Sequence, residues 1–297
     1  DEAVERARRA YARLVSVGVD RVAVGPQVSV LTGLLAAALP DGADVVTVSG
    51  DFASVVFPLL VHADRGVRVR QVPLADLPAA VGPGTALVAF SLVQSADGMI
   101  ADAPAVLAAA RDAGALTYCD LTQAAGWLPV RAGDFDLTSC GTYKWLCSPR
   151  GTAFLTVRPE VAATLRPIYA GWYAGESVWD SIYGPEMRLA GDARRFDVSP
   201  AWLPWVGTVP ALELFAGLDV AAVREHDAGL ADTVRAGLDL PPAGRAVVSL
   251  PDPDAELQAR LRAAGCHVSG RAGRVRLSFH LWNDEADVDL ALRALRR

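Results

Sequence analysis

Apolar positions recur along this chain in two periods, and the alternation between them predicts its elements. Residues Asp1 to Val17 set Val4, Ala7, Tyr11 and Leu14 among charges at helical spacing, an amphipathic helix. Asp20 to Val24 reads as a short strand, Gly25-Pro26-Gln27 as a turn, and Val28 to Leu39 as an apolar helix. Strands follow at Ala43 to Ser49, Val67 to Val72, Ala86 to Leu92 and Leu116 to Asp120. Between them lie helical stretches at Val55 to Val61, where Pro58 distorts the turn, at Leu74 to Ala80, and at Ala103 to Ala113, which Gly114 stops. That βαβ rhythm predicts an α/β fold with a mostly parallel central sheet between helices.

The second half keeps the rhythm less strictly. Gly133 to Cys140 leads into the loop that carries Lys144, with an apolar stretch over Phe135 to Cys140; Gly151 to Val157 reads as a strand and Pro159 to Leu165 as a helix. Trp172 to Arg195 has no clean period and reads as a long active-site or interface loop, with Tyr173, Trp179, Tyr183 and Arg188 available to either role. Two helices are expected at Val206 to Leu218 and Val220 to Leu238, then a Pro241-Pro242 linker. The remainder reads as a small α/β domain, with strands at Arg245 to Leu250 and Val275 to His280 and a short edge at Cys266 to Ser269. Its helices are Asp254 to Ala264 and Asn283 to Leu295, the latter opened by an Asn-Asp-Glu cap. The expected division is a large domain over 1–165, a loop region over 166–205 and a smaller C-terminal α/β domain over 206–297.

Composition narrows the function. Of 297 residues, 52% are hydrophobic and 21% charged, which suits a well-buried α/β core. The net charge of -6, with no basic block, gives no footprint for nucleic acid. The apolar runs are too short or too interrupted to span a bilayer. No signal peptide is visible, and the four cysteines follow no secreted spacing, so a cytoplasmic location is expected. The four histidines have no metal-ligand spacing, and no metal is expected.

The candidate chemistry lies between Leu116 and Gly151. One apolar strand ends on a lone acid, Asp120, and the next apolar stretch runs out at Gly141-Thr142-Tyr143-Lys144. Both strand ends belong at one rim of the sheet, where open α/β folds bind ligands. A lysine amine paired with an acid suits pyridoxal phosphate, whose aldehyde condenses with the amine while the acid keeps the pyridine nitrogen protonated.

The residues Asp120, Gln123, Gly126, Pro129, Asp136, Tyr143, Lys144, Pro149 and Gly151 resemble the pattern of the class V aminotransferase family. This group of fold-type I pyridoxal-phosphate enzymes includes kynureninase, cysteine desulfurase and isopenicillin N epimerase. The resemblance implies that Lys144 carries the cofactor, that Asp120 pairs with its ring nitrogen (which should lower the Asp120 pKa) and that Gln123 bonds its ring oxygen. It places Phe52 against the ring, Gln27 in the phosphate turn where the family has Thr, and Thr142 and Tyr143 beside the lysine. Arg194 to Pro200 is similar to the family's Arg-Phe-Glu-x-Gly-Thr-Pro stretch, in a version one residue shorter, which makes Ser199 the hydroxyl that reaches the partner subunit's phosphate in a homodimer with shared sites. Val275, Arg276, Leu277, Ser278 and Asn283 match a further motif, in which Arg276 grips the substrate carboxylate. Gln94 would sit beside cofactor or substrate. Family members carry an N-terminal arm, which is expected to be missing here.

The implied function is an enzyme acting on an amino acid, a small-molecule substrate, through an external aldimine, with Lys144 moving the α-proton. The family name favours an aminotransferase. The alternatives are a C–S or β-lyase, an epimerase or a kynureninase-like hydrolase, and beyond those a non-catalytic protein of the same fold. Tyr143, in place of a His common in desulfurases, leans to the kynureninase and epimerase side. Cys266 in an expected edge strand, and no cysteine over Ser269 to Gly273, argue against persulfide chemistry.

Overall fold

The computed structural model describes residues 1–183 and 186–296. Gly184 and Pro185 of the long loop and the terminal Arg297 lie outside the described residues. The chain divides into two compact units. The larger comprises Asp1–Leu92, Ala101–Ala125 and Val130–Gly217; the smaller comprises Val93–Ile100, Gly126–Pro129 and the chain from Leu218 onward.

The larger unit holds, in order, α1 (Glu2–Leu14), β1 (Val22–Gly25), α2 (Val28–Ala38), β2 (Asp44–Val48), α3 (Ala53–Leu60), β3 (Arg68–Val72) and α4 (Leu77–Ala80). It continues with β4 (Thr85–Ser91), α5 (Ala103–Ala113), β5 (Leu116–Asp120), β6 (Leu137–Gly141), β7 (Ala153–Val157), α6 (Pro159–Ala162) and α7 (Trp202–Ala216). The sheet order is β1-β7-β6-β5-β4-β2-β3. The pairs from β3 through β6 are parallel, and β7 runs antiparallel to both β6 and β1. The carboxyl ends of β1, β2, β4, β5 and β6 therefore share one rim. A parallel return to the sheet needs a crossover of a dozen or more residues. The segment after β6 instead turns back directly as β7, and Lys144 lies in that connection.

Strands covered on both faces must be apolar nearly throughout, and β1, β6 and β7 are buried at every residue. Their polar members pair with one another: the Thr138 and Thr156 hydroxyls lie 2.7 Å apart across β6 and β7. On the α1 side, Tyr11 stacks on Phe154 at 4.2 Å between centroids, and Trp205 meets Phe154 edge-on at 5.3 Å. α7 begins at Trp202, earlier than its pattern suggests, packs on α1, and carries residues 206–217 into the larger unit.

The smaller unit contains α8 (Val220–Ala236), β8 (Val247–Pro251), α9 (Glu256–Ala263), β9 (Ser269–Arg271), β10 (Arg274–Ser278) and α10 (Glu285–Leu295). Its antiparallel sheet has the order β8-β10-β9. The edge strand expected at Cys266 to Ser269 is corrected to Ser269–Arg271. Ala272 and Gly273 both take positive φ, 48° and 70°, the two-residue hairpin turn that matches strand twist. Cys266 belongs to the turn after α9, its amide bonded to the Leu261 carbonyl. α10 opens with a capping box between Asp284 and Asp287. Val248, Leu261, Val275, Leu277 and Val288 form the core beneath the sheet.

Gly98 closes the turn that follows Gln94, at φ 76°. A Cβ there would lie 2.5 Å from Val247 Cβ. Gly98→Ala combines a left-handed backbone with this clash and is expected to cost about 1–3 kcal/mol, read by urea unfolding. A change below 0.5 kcal/mol, the ordinary scatter of about ±0.5 kcal/mol for neutral sites, would contradict it. Among the described residues no single helix is long and apolar enough to cross a membrane.

Candidate active site

Asp120 ends β5 at the shared rim and is 3% exposed. The Thr122 amide and hydroxyl both donate to its Oδ1, at 3.0 and 2.5 Å. The same hydroxyl accepts the Gly141 amide at 2.9 Å, tying the end of β5 to the end of β6. Among the described residues no hydrogen bond reaches Asp120 Oδ2. Burial pushes the Asp120 carboxyl up to about 6, against the Thr122 bonds and the Lys144 charge. The lowering expected from a pyridinium partner is therefore not supplied by the protein itself, in which desolvation dominates.

That shift has a measurable sign. The folded pKa lies above the ordinary aspartate value of about 3.9, so the folded protein holds this proton more tightly than the unfolded chain. The stabilisation is fully present below the unfolded pKa and is lost as pH rises through about 6. In cofactor-free protein, Asp120→Asn should remove a fall on the order of 2–3 kcal/mol over that range. Asp197, pushed up to about 6 by burial, keeps its own share of the slope. Urea unfolding at several pH values checks this, and an unaltered slope would contradict it.

Lys144 is half-buried, its Nζ 5.0 Å from the centroid of the Phe52 ring and 5.8 Å from that of Tyr143. Lys144 is also the only lysine in the sequence, a composition signal that singles it out independently of the motif. Phe52 is 37% exposed at the start of α3. The other face of local chemistry at Tyr143 is Arg150, whose Cζ lies 4.2 Å from the ring centroid. Gln123 Oε1 accepts the Trp145 indole N–H at 2.9 Å, which orients the amide.

Thr142 is placed otherwise than expected. Its hydroxyl is fully buried and bonds the Thr152 hydroxyl at 2.6 Å and the Thr152 carbonyl at 3.1 Å. It braces the lysine segment against β7. Gln27 is exposed as the N-cap of α2, without a side-chain capping bond. Ser199 is exposed, and the preceding Val198 amide bonds the Val24 carbonyl at 3.0 Å, which holds Ser199 near the same end of β1 as Gln27. A buried ion pair fixes this arrangement: Arg8 and Asp197, each 1% exposed, meet at 2.7 Å. Arg8 also donates to the Val22 carbonyl, and Asp197 accepts the Val24 amide. Asp136 holds strand ends together through Thr117 and Arg158. Tyr173 is 3% exposed and Arg188 pairs with Glu186, whereas Trp179 and Tyr183 are exposed.

In the smaller unit, Arg276 Nη1 donates to the Ser95 carbonyl, next to Gln94, which is buried. Arg276 Nε is buried without a partner. Burial, then Arg271, holds its pKa below the usual guanidinium value. Thr122 and the pair Asp51–Ser91 were not singled out from the sequence; a hydroxyl two residues beyond the strand-end acid was the legible sign of the first.

The donor set fits pyridoxal phosphate. A buried carboxylate oxygen awaits a donor, an aromatic face lies beside the one lysine, and α2 presents its N-terminus at the same rim. The sequence model of the family described as aminotransferase class-V matches residues 27–258. An uncharacterized aminotransferase, YcbU, of Bacillus subtilis is 31% identical over 235 residues, covering 76% of this chain and 62% of the relative. A kynureninase of Salinispora tropica is 31% identical over 232 residues, covering 75% of this chain and 54% of the relative. The chain thus spans less than two thirds of the length of these curated relatives. Among solved structures, a cysteine desulfurase of Thermococcus onnurineus superposes with a TM-score of 0.85 at 21% identity, covering 99% of this chain and 83% of that one. The likeness is of fold. With the rim geometry and the match over residues 27–258, the chain belongs to the class V aminotransferase family of fold-type I, pyridoxal-phosphate-dependent enzymes.

Proposed function

We propose that this chain is a pyridoxal-phosphate enzyme acting on an amino acid, and that its reaction is lyase-, epimerase- or kynureninase-like rather than transamination. The observation that carries the first part is Lys144 Nζ beside the Phe52 ring, at the same rim as the uncommitted oxygen of buried Asp120. When bound, the cofactor supplies an electron sink for charge developing at the substrate α-carbon. Lys144 holds it covalently and then moves the α-proton with its amine. Asp120 Oδ2 holds the proton on the ring nitrogen, and Gln123 donates to the ring oxygen. Gln27, the first amides of α2 and Ser199 receive the phosphate, with Tyr143 beside them. Arg276 takes the substrate carboxylate, and Gln94 lines the same stretch. In a homodimer, which we propose as the working assembly, Ser199 serves the partner's phosphate.

The second part is supported by Tyr143 in place of His before the lysine, and by a kynureninase relative at the same 31% identity as the aminotransferase one. Against persulfide chemistry stands the lack of any cysteine over Ser269 to Gly273; Cys266 lies in the turn after α9 and not in the edge strand expected for it. The test is a product assay with pyridoxal phosphate over a panel of amino acids that includes kynurenine, cystine and D/L pairs. Alanine from kynurenine, pyruvate with ammonia and cysteine persulfide from cystine, or the opposite enantiomer is the expected product. Stoichiometric transfer of the amino group to an added 2-oxo acid would overturn this choice in favour of transamination.

A further inference from the structure

Asp51 is an acid at the rim for which the chemistry above has no use. It follows β2 through a turn at Gly50, φ 78°. Its position just before α3 invites the ordinary explanation of a helix cap, but the N-cap is Phe52, and no side chain caps that helix. The carboxylate is directed elsewhere. Oδ1 accepts the Phe52 amide at 2.6 Å and the Ser91 hydroxyl at 2.5 Å, and Oδ2 accepts the Ser91 amide at 2.8 Å. Ser91 ends β4 directly opposite Asp120 in the parallel register. One carboxylate thus joins the loop that carries Phe52 to the strand end that flanks Asp120. β2 and β4 are already paired along their length, at Asp44 through Thr47. The added tie beyond the ladder falls where the Phe52 ring meets Lys144, 5.0 Å from Nζ.

We propose that Asp51 is a positioning residue for the cofactor: it fixes the Phe52 ring beside Lys144 by binding the Phe52 amide and clamping it to Ser91. This inference rests on pyridoxal phosphate being held at Lys144. A backbone amide held by a charged acceptor loses little freedom, since such hydrogen bonds are shorter and stronger than neutral ones. An aromatic ring more than a third exposed, 37% here, has little packing of its own to hold it. The clamp supplies the order that packing does not. Asp51 itself touches neither cofactor nor substrate in this account, so its effect passes through Phe52.

The test is a double-mutant cycle on cofactor affinity, with the visible circular dichroism of the bound cofactor as a second readout. Asp51→Asn keeps the shape, loses the charge and is expected to weaken pyridoxal phosphate binding about tenfold. In a Phe52→Ala background the same change should cost less than about threefold, because the ring it orders is gone. Ser91→Ala leaves the charge and both backbone bonds and should weaken binding in the same direction by about threefold. It carries the test if Asp51→Asn does not fold. Equal losses with and without Phe52, or affinity and dichroism unchanged in both Asp51→Asn and Ser91→Ala, would overturn the proposal even if thermal stability fell. Wild-type protein that binds no cofactor would instead overturn the function proposed above, and this inference with it.

Discussion

Lys144→Ala is expected to abolish the visible absorbance that pyridoxal phosphate acquires on the protein and to lower turnover on the order of 10³-fold. Two losses combine. The covalent anchor is gone, and so is the amine that moves the α-proton. The substitution also leaves no lysine anywhere in the chain, so no second ε-amine can rescue the attachment. Stability should change little, by less than about 1 kcal/mol, since the half-buried Nζ lies beside two aromatic rings and in no tightly packed core. Absorbance titration, steady-state rates and urea unfolding check the three parts together. Turnover within tenfold of wild type would remove Lys144 from the chemistry.

The largest stability effect is expected at Asp197. Removing it as Asp197→Ala leaves Arg8 with its guanidinium 1% exposed and without its principal carboxylate. Glu5 remains at 3.0 Å, but it is 38% exposed and screened by solvent. An uncompensated buried charge of this kind costs about 3–5 kcal/mol. The Val24 amide also loses its bond to Asp197 Oδ1. Since Asp197 holds the segment of Ser199 against β1, cofactor affinity should fall along with stability. Replacing both partners, as Arg8→Met with Asp197→Leu, should restore much of the stability, because the desolvation cost disappears with the charges. A loss below 1 kcal/mol in Asp197→Ala would contradict the buried ion-pair account.

The regular elements were legible because their periods are clean. Ala103–Ala113 and Leu116–Asp120 stand where the pattern puts them, with a Gly stop between. α7 was less so. It is apolar on every side, so its sequence does not say which face is buried or against what. The edge strand was misplaced because Ala272 adopts a left-handed turn that composition does not announce. At the site, the Asp-x-x-Gln pattern and the Tyr143-Lys144 pair lie at the ends of two neighbouring parallel strands, as the sequence reading expects. The direction of a hydroxyl was another matter. Thr142 is adjacent to Lys144 in sequence yet turns to Thr152, while Thr122, two residues past Asp120, makes the bonds at the carboxylate. Arg8 and Asp197 pair across 189 positions, and nothing local to either marks them as partners.

The measurement that bears most directly on the central claim is borohydride reduction of the protein incubated with pyridoxal phosphate, followed by peptide mapping. The account predicts one phosphopyridoxyl group per chain, on the peptide that contains Lys144. No label, or label confined to the amino terminus, would contradict it.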